Sequence, residues 1–324
     1  MVQTDLELSY QGIAYIFPGQ GAQFVGMGRE LYMESARARE VFDQADRALS
    51  FSLSKLMFQG PESELEKTIN AQPAILIASL AALAVLKELL SPFDPKPVAY
   101  AGHSLGEYTA LIASGALSFA NGVLLVKERA RLMQAATENN DGSMAAIIGL
   151  SRNAVADICG DGEVEMANIN TAAQIVISGR SETVKIAAEL AKTKGARKVI
   201  SLPVSGAFHS KLMSPAQKGL NAALRSCQLD DPRSAVIGNL SGRPLNTESE
   251  VRDELERQLC GCVDWEKSVE TMVDMGTNTF VEIGPGNVLT GLVKRINKDV
   301  HLVNVSDSAS ARKFVEEKIR SIRI

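Results

Sequence analysis

Short apolar runs alternate with helical patterns along most of the chain, and this order limits the fold more than any other feature. Ala14 to Phe17 and Val98 to Ala101 have the length and composition of strands, and helical patterns lie between them. The same alternation returns from Ala235, with a strand pattern at Thr279 to Ile283 and a helical pattern at Leu289 to Ile296. Because strands that alternate with helices form parallel sheets, we expect a parallel sheet covered by helices.

A different order interrupts this alternation in the middle of the chain. From Met144 to Val204 the patterns indicate strand, helix, strand, strand, helix and strand, and Gly195 follows the second helix where a C-cap glycine is expected. This order is the ferredoxin-like, split βαβ arrangement. We therefore predict an α/β protein with an α/β-hydrolase-like large subdomain (1–138 and 206–324) containing the parallel sheet. A ferredoxin-like small subdomain (139–205) is inserted into it, with a cleft between the two.

Composition excludes several classes of protein. The 324 residues are 45% hydrophobic and 22% charged, as in globular proteins, and the formal charge of -4 provides no basic field for nucleic acid or an anionic membrane. Four cysteines are too few for a disulfide framework, and no histidine cluster completes a zinc site around Cys260 and Cys262. The first residues lack the basic and apolar regions of a signal peptide. We expect a cytoplasmic protein, and nothing in the sequence requires more than a monomer.

The most apolar segment is too short to cross a bilayer. The segment from Ala74 to Leu86 has 13 residues without a charge or an amide and is followed by Lys87, whereas a membrane span needs about 20. Pro73 directly precedes this run, and proline is favoured at the first position of a helix. The sequence therefore predicts a buried core helix that begins at Pro73.

A candidate nucleophile lies between a strand pattern and a helical pattern. Gly102 to Gly106 match G-x-S-x-G, directly after the strand at Val98 to Ala101. In a nucleophile elbow, small residues on both sides of the serine leave room for a sharp turn. We expect Ser104 to point into the cleft and the amide N–H of Leu105, at the start of the helix, to bind an oxyanion. A serine in an ordinary tight turn is the alternative.

A serine nucleophile needs a base, and the chain has three histidines. His103 is adjacent to Ser104, so its side chain should point to the other side, and His301 lies in a late strand pattern. His209 follows the last strand of the predicted small subdomain, where the chain returns to the cleft. We therefore predict His209 as the base, with a structural loop histidine as the alternative.

The glycine-rich segment from Phe17 to Gln23 follows the first strand pattern. It matches neither G-x-x-x-x-G-K-[ST] nor G-x-G-x-x-G, so it is not a phosphate-binding loop. Flexible backbone after a strand does fit a loop that offers an amide N–H at the strand's carboxyl end. Gln20 is the candidate for this second oxyanion donor.

Several segments together resemble the malonyl-CoA:acyl carrier protein transacylase family, which includes the acyltransferase domains of polyketide synthases. They follow the family order across residues 12 to 305. The matching segments are Phe17 to Gly21, Gln72 to Ala74, Gly102 to Glu107, Arg129 with Leu132 to Gln134, Asn168 to Asn170, Gly206 to Ser210, and Glu282 to Gly286 with Leu289 to Leu292.

The resemblance implies a ping-pong reaction that needs no cofactor and no metal. Ser104 would take the malonyl group from malonyl-CoA and pass it to the phosphopantetheine thiol of an acyl carrier protein, with His209 moving the proton in both steps. The resemblance also implies that the guanidinium of Arg129 pairs with the malonyl carboxylate and that Phe208 restricts space beside the acyl α-carbon.

Further substrate contacts are implied for Met133, and by position for Asn168 and Gln174 on the CoA side of the cleft. Polar residues that close strand ends are the alternative account of Asn168 and Gln174. The chain departs from the family at Cys262 to Trp265, where proline usually precedes valine. There Asp264 is either a surface residue or a carboxylate near His209.

Two other functions fit parts of the sequence. A thioesterase or editing hydrolase of the same fold would share Ser104 and His209, but it would have no use for a cation matched to a malonyl carboxylate. A noncatalytic docking module would be expected to have lost Ser104 or His209, and neither is lost. Fatty acid and polyketide synthesis stay equally open as the pathway.

Overall fold

The computed structural model describes residues 11–91, 96–138, 140–160, 162–204 and 206–322. The strands are β1 Ile13–Phe17, β2 Ala99–Gly102, β3 Gly142–Ile148, β4 Val164–Thr171, β5 Gln174–Arg180, β6 Lys198–Ser201, β7 Ala235–Ile237, β8 Pro244–Leu245, β9 Val263–Asp264, β10 Thr279–Ile283 and β11 His301–Val305. The helices are α1 Arg29–Glu34, α2 Ala36–Leu49, α3 Leu53–Gln59, α4 Glu62–Leu65, α5 Thr68–Leu90, α6 Leu105–Ser114, α7 Phe119–Glu138, α8 Arg152–Cys159, α9 Ser181–Thr193, α10 Ser214–Arg225, α11 Glu248–Gln258, α12 Trp265–Asp274, α13 Val288–Ile296 and α14 Ser308–Ile322.

The first sheet is the parallel sheet that the alternating patterns predict. Its strand order is β11-β10-β1-β2-β7-β8, and every neighbouring pair is parallel except β7 with β8. All five residues of β1 are buried, as expected for a central strand with helices on both faces. The predicted α/β class is therefore confirmed, and the carboxyl ends of β1 and β2 lie side by side, since Phe17 pairs with Gly102.

The second sheet contains the β-α-β-β-α-β segment. Its strand order is β6-β3-β5-β4-β9. The four strands β3 to β6 pair with one another in antiparallel orientation. The short helix α8 and the longer α9 pack against these strands. Gly195 adopts φ 91° just beyond α9, which is the left-handed conformation expected after a helix end. The predicted junctions of this unit, residues 139 and 205, lie outside the described residues.

The two sheets are joined at one edge. The two-residue strand β9 pairs with β4 in parallel, with Asn168 opposite Val263 and Ile169 opposite Asp264. Arg152 of α8 forms an ion pair with Asp264, at 2.9 Å between Nη1 and Oδ2. Helices α12 and α13, which precede and follow β10 of the parallel sheet in the chain, also pack on β4. The second sheet is therefore attached to the elements of the parallel sheet along this edge.

The helix α5 begins earlier than predicted. It starts at Thr68, so Pro73 lies in its second turn rather than at its first position. Proline there removes the hydrogen bond to the carbonyl of Ile69, which a helix tolerates when the bonds around it are kept. By length and apolar composition α5 could cross a membrane, but 78% of its most apolar window is buried inside the protein. It is the central core helix between α2 and α7.

Candidate active site

A sharp turn after β2 places Ser104 at the edge of the parallel sheet. Ser104 has φ 52° and ψ -102°, which is strained for a residue with a side chain. A Cβ atom on Gly102 would come within 1.9 Å of the backbone carbon of Gly106, and one on Gly106 within 2.1 Å of the Phe17 carbonyl oxygen. Backbone packing therefore requires both glycines of G-x-S-x-G, and Ser104 lies at the tight turn between them.

The side chain of Ser104 meets His209, as the predicted pair requires. Ser104 Oγ lies 2.8 Å from Nε2 of His209. Nδ1 of His209 lies 3.1 Å from both the Gln258 and Gly261 carbonyl oxygens. Since carbonyl oxygens only accept, Nδ1 carries the proton and Nε2 offers its lone pair to the serine hydroxyl. Two backbone carbonyls thus orient the imidazole where a carboxylate does so in a triad.

The imidazole is held in its neutral form. His209 is 4% exposed. This burial, together with the positive charge of Arg129 and the nearby His103, lowers the pKa of His209 to about 3, although the two carbonyl hydrogen bonds act in the opposite direction. A neutral imidazole at physiological pH is the form that can accept the serine proton.

Arg129 of α7 brings a buried cation to the same point. It is 1% exposed, and its Nη2 donates to Ser104 Oγ and to Gln258 Oε1, each at 3.1 Å. Nη1 donates to Gln72 Oε1 at 2.5 Å, and the guanidinium carbon lies 5.2 Å from the ring centre of Tyr108. Nε is buried and has no hydrogen-bond partner. Among the described residues no carboxylate forms an ion pair with this guanidinium, and Glu107 acts on its charge only through space.

Two amide side chains hold the turn from behind. Asn239, just after β7, accepts from the Ser104 amide at 2.7 Å and donates to the Gly102 carbonyl at 2.7 Å. Gln258, at the end of α11, donates to the Ser104 carbonyl at 2.8 Å. Both residues also bond to the carboxyl of buried Glu107, whose pKa burial and repulsion from Glu254 raise well above its usual range.

The loop after β1 lies against the turn. A Cβ on Gly19 would come within 2.4 Å of the His103 carbonyl oxygen, so the glycine allows the two segments to touch. The side chain of Gln20 donates to Thr68 Oγ1 at 3.1 Å, which ties this loop to the start of α5. Leu105 is the first residue of α6, and the first N–H groups of a helix have no acceptor within it. Gly19, the residue before Gln20, and Leu105 therefore both lie next to the turn at Ser104.

A cavity of about 410 Å³ opens in front of this pair. It is lined by residues of the second sheet, of α7 and of the loops beside Ser104 and His209. The lining residues are Gln20, Gly21, Gln23, Glu66, His103, Ser104, Arg129, Met133, Met144, Asn168, Leu202, Pro203, Val204, Phe208 and His209. Of the predicted substrate contacts, Arg129, Met133, Asn168 and Phe208 thus lie together.

Gln174 does not join them. It lies at the start of β5, outside the cavity lining, and its Oε1 accepts from Nη1 of Arg295 at 2.8 Å. The amide of Gln174 thus links the β4–β5 hairpin to α13. The predicted contact with CoA at this position is not supported by the geometry, because Gln174 is bonded to Arg295 and is absent from the cavity lining.

Neither predicted role for Asp264 is correct. Its side chain is 12% exposed, so it is not a surface residue, and the groups that orient His209 are carbonyls. Asp264 instead caps α12 by accepting from the Lys267 amide at 3.1 Å, and it pairs with Arg152. The ion pair with Arg152 could not be foreseen because the partner is 112 residues away in the chain.

Sequence reasoning missed the amides around the pair. Gln72 and Glu107 lie inside segments that carried the resemblance, so their positions were visible although their contacts were not. No motif or periodic pattern marks Asn239 or Gln258 as a site residue. Only the fold brings them to Ser104. Elsewhere in the described ranges no group of three or more His, Cys, Asp and Glu residues is placed to hold a metal ion.

Fold and geometry together define a class of protein. A parallel α/β sheet with a strained serine, hydrogen-bonded to a carbonyl-oriented histidine beside a buried cation, is an arrangement for chemistry on acyl groups. Comparison with known proteins then narrows the class. The acyl transferase domain family matches residues 14 to 315.

Relatives and solved structures agree with this match. A malonyl CoA-acyl carrier protein transacylase from Bacillus subtilis (strain 168) is 44% identical over 300 residues, covering 91% of this chain and 93% of the relative. The crystal structure of an acyl-carrier-protein-S-malonyltransferase from Bartonella henselae has a TM-score of 0.91 at 40% identity, covering 97% of this chain and 100% of the other.

A third similar protein comes from the structure of a type II polyketide synthase acyl-carrier protein in complex with its malonyl-transacylase. It has a TM-score of 0.90 at 36% identity and covers 95% of this chain and 100% of the other. This chain therefore belongs to the acyl transferase family, among the malonyl CoA-acyl carrier protein transacylases, as the sequence motifs predict.

The low pKa of His209 gives a prediction that is independent of the substrate. We expect a small phosphonofluoridate to label Ser104 at pH 5.0 within about twofold of the rate at pH 7.0, because His209 stays neutral well below pH 6.5. A histidine that titrates at 6.5 would slow labelling roughly 25-fold over the same interval. Intact-protein mass spectrometry gives the rates, and His209→Ala serves as the control that should not label. A rate that falls by that larger factor would show that His209 titrates normally.

Proposed function

We propose that this chain transfers a malonyl group from malonyl-CoA to the phosphopantetheine thiol of an acyl carrier protein. The observation that carries the proposal is the unpaired, buried guanidinium of Arg129, which lies 3.1 Å from Ser104 Oγ, while that oxygen lies 2.8 Å from His209. A cation beside the nucleophile suits an acyl group that ends in a carboxylate. The transacylase names of the relatives support the same substrate and partner.

The first half-reaction follows from the positions of three groups. His209 Nε2 takes the hydroxyl proton of Ser104 as Oγ attacks the thioester carbonyl carbon, and the oxyanion forms between the backbone amides of Gln20 and Leu105. When the carbon–sulfur bond breaks, the CoA thiolate takes the proton from His209, and malonyl stays on Ser104 as an ester. Such an amide donor typically contributes about 2.7–4 kcal/mol to the transition state.

The second half-reaction runs the same steps with a different thiol. His209 removes the proton of the carrier's phosphopantetheine thiol, and the thiolate attacks the malonyl ester carbon. The tetrahedral intermediate then collapses, and Ser104 Oγ leaves with the proton from His209. One histidine serves both halves because it ends each half in its neutral state.

Arg129 has two effects in this scheme. Its guanidinium pairs with the malonyl carboxylate. For this pairing, one guanidinium N–H must leave the side-chain oxygen of Gln72 or of Gln258, which accepts it in this structure. Pairing also offsets the positive charge that lowers the pKa of His209, so His209 becomes the stronger base when the carboxylate is in place. Substrate recognition and base strength are thereby linked.

A hydrolase of the same fold is the alternative that the sequence left open. The relatives described above are transacylases, and they give it no support. The buried cation also argues against it, because the carboxylate that it would bind is absent from simple acyl chains.

The direct test is intact-protein mass spectrometry after brief exposure to malonyl-CoA. We expect a malonyl adduct that is absent in Ser104→Ala, persists in buffer, and passes to an added holo carrier protein. Holo carriers from a fatty acid system and from a polyketide system, used in parallel, would identify the preferred pathway. An adduct that decays in buffer as fast as it does with carrier would support the hydrolase and contradict the proposal.

Replacing Arg129 should affect malonyl transfer selectively. A hydrogen bond to a charged group contributes about 1.5–3 kcal/mol, so we expect Arg129→Ala to lower kcat/KM for malonyl-CoA roughly 10- to 150-fold while sparing or improving transfer from acetyl-CoA. Arg131→Ala is the matched control, since Arg131 lies on the same helix but is exposed and paired with Glu128. Unchanged malonyl transfer in Arg129→Ala would show that its guanidinium does not bind the carboxylate.

Phe208 should limit substitution at the acyl α-carbon. It is buried and lines the cavity beside His209, and one added methyl in a filled pocket costs about 1–3 kcal/mol. We expect methylmalonyl-CoA to react with a kcat/KM roughly 10- to 200-fold below that of malonyl-CoA, and Phe208→Ala to reduce this ratio. Equal specificity constants in the unmodified protein would remove Phe208 as the cause of selectivity.

A further inference from the structure

Glu107 is a buried carboxyl group that the proposed reaction does not use. It lies in the first turn of α6, one residue beyond the second glycine of the elbow, and it is 0% exposed. It is not among the residues that line the cavity, so it does not touch substrate. A buried carboxyl is costly unless its oxygens accept hydrogen bonds, and the identity of its donors therefore shows what it does.

The donors come from two distant parts of the chain. Oε1 of Glu107 accepts from the backbone amide of Asn239 at 2.8 Å, and Oε2 accepts from Nε2 of Gln258 at 2.6 Å. Asn239 follows β7, whereas Gln258 ends α11. One side chain on α6 thus contacts both segments, which are also joined nearby by the hydrogen bond of 2.7 Å from the Leu240 amide to Oε1 of Glu254.

Both of these segments hold the backbone of the nucleophile. Asn239 Oδ1 accepts from the Ser104 N–H, and Gln258 Nε2 donates to the Ser104 carbonyl. Ser104 has a strained backbone with φ 52°, and such a conformation persists only where its surroundings fix it. The peptide groups on both sides of Ser104 are therefore anchored, through one intermediate residue each, on the carboxyl of Glu107.

The same contacts fix which way the amide of Gln258 faces. Its Nε2 is used by Glu107 and by the Ser104 carbonyl, so its Oε1 is left to accept from Nη2 of Arg129 at 3.1 Å. With the amide reversed, two N–H groups would face each other at Arg129. Glu107 thus determines the polarity of the hydrogen bonds on both sides of Gln258.

We infer that Glu107 is a positioning residue for the nucleophile. It sets the strained turn of Ser104 through Asn239 and Gln258, and it aims the carbonyl oxygen of the Gln258 side chain at Arg129. The inference rests on the proposed function only for its natural substrate, because the position of Ser104 also governs reaction with a phosphonofluoridate.

Glu107→Gln tests this inference with little change of shape. The new amide presents an N–H to Asn239 or to Gln258, so the turn should shift. A misplacement of about 1 Å typically costs about 100-fold in rate. We expect malonylation of Ser104 by malonyl-CoA and labelling by the phosphonofluoridate both to slow about 100-fold, while KM for malonyl-CoA changes less than about threefold.

Glu282→Gln is the matched control. Glu282 is also 0% exposed, and it accepts from the Leu289 and Thr290 amides and from Asn304 Nδ2 at the start of α13. This variant should lose thermal stability but keep both rates. The control separates the general cost of altering a buried carboxyl from the specific effect on Ser104.

A double variant covers the possibility that Glu107→Gln does not fold. Glu107→Gln with Gln258→Glu restores an acid–amide hydrogen bond with reversed polarity, but a carboxylate at 258 cannot donate to the Ser104 carbonyl. We expect the double variant to fold and to remain at least 100-fold slower in both reactions, a loss of the size expected when the turn is misplaced.

Three results would overturn the inference: undiminished rates in a folded Glu107→Gln, loss of malonylation with phosphonofluoridate labelling intact, or full recovery of both rates in the double variant. If the unmodified protein accepts no malonyl group, the proposed function fails. Slow phosphonofluoridate labelling in folded Glu107→Gln would still support the positioning role.

Discussion

The close approach of backbone segments at the end of β2 is the constraint on which the site depends. Side chains on Gly19, Gly102 and Gly106 would each meet backbone atoms within 2.4 Å. Because no Cβ intervenes, the loop after β1, the turn at Ser104 and the start of α6 pack directly on one another. The backbone of Gln20 and of Leu105 therefore lies beside the point where these segments meet.

A buried positive charge is the second feature on which the site depends, and it determines the charge of the ligand that the site favours. The guanidinium of Arg129 lies in a region of low dielectric with Nε unpartnered, so its field is weakly screened. That field acts on Ser104 Oγ at 3.1 Å and lowers the pKa of His209. A site with a stored positive charge gains most from a ligand that brings a negative one, because the desolvation cost of the cation has already been met during folding.

Local patterns predicted the fold and the contact between Ser104 and His209 for physical reasons. Strand and helix periodicities reflect burial, which the parallel sheet and the β-α-β-β-α-β segment confirm. Ser104 could be identified because the turn around it requires glycines, which leave a sequence pattern. His209 could be identified because the chain has three histidines to choose from. Asn239, Gln258 and the partner of Asp264 could not be predicted, since a single amide or ion pair leaves no periodic trace. The predicted start of α5 at Pro73 is wrong, because the start of this helix depends on packing as well as on proline.

Two contacts connect the antiparallel sheet, the second sheet described above, to the rest of the site. Met133 reaches the cavity from α7, whereas Met144 reaches it from β3 of the antiparallel sheet. This sheet is held by the pairing of β4 with β9 and by the hydrogen bond of 2.9 Å between His103 Nε2 and Asn170 Oδ1. His103 is the residue next to Ser104, so the antiparallel sheet is tied to the turn itself. Because Met144 of the same sheet lines the cavity, one sheet connects the cavity wall to the turn at Ser104.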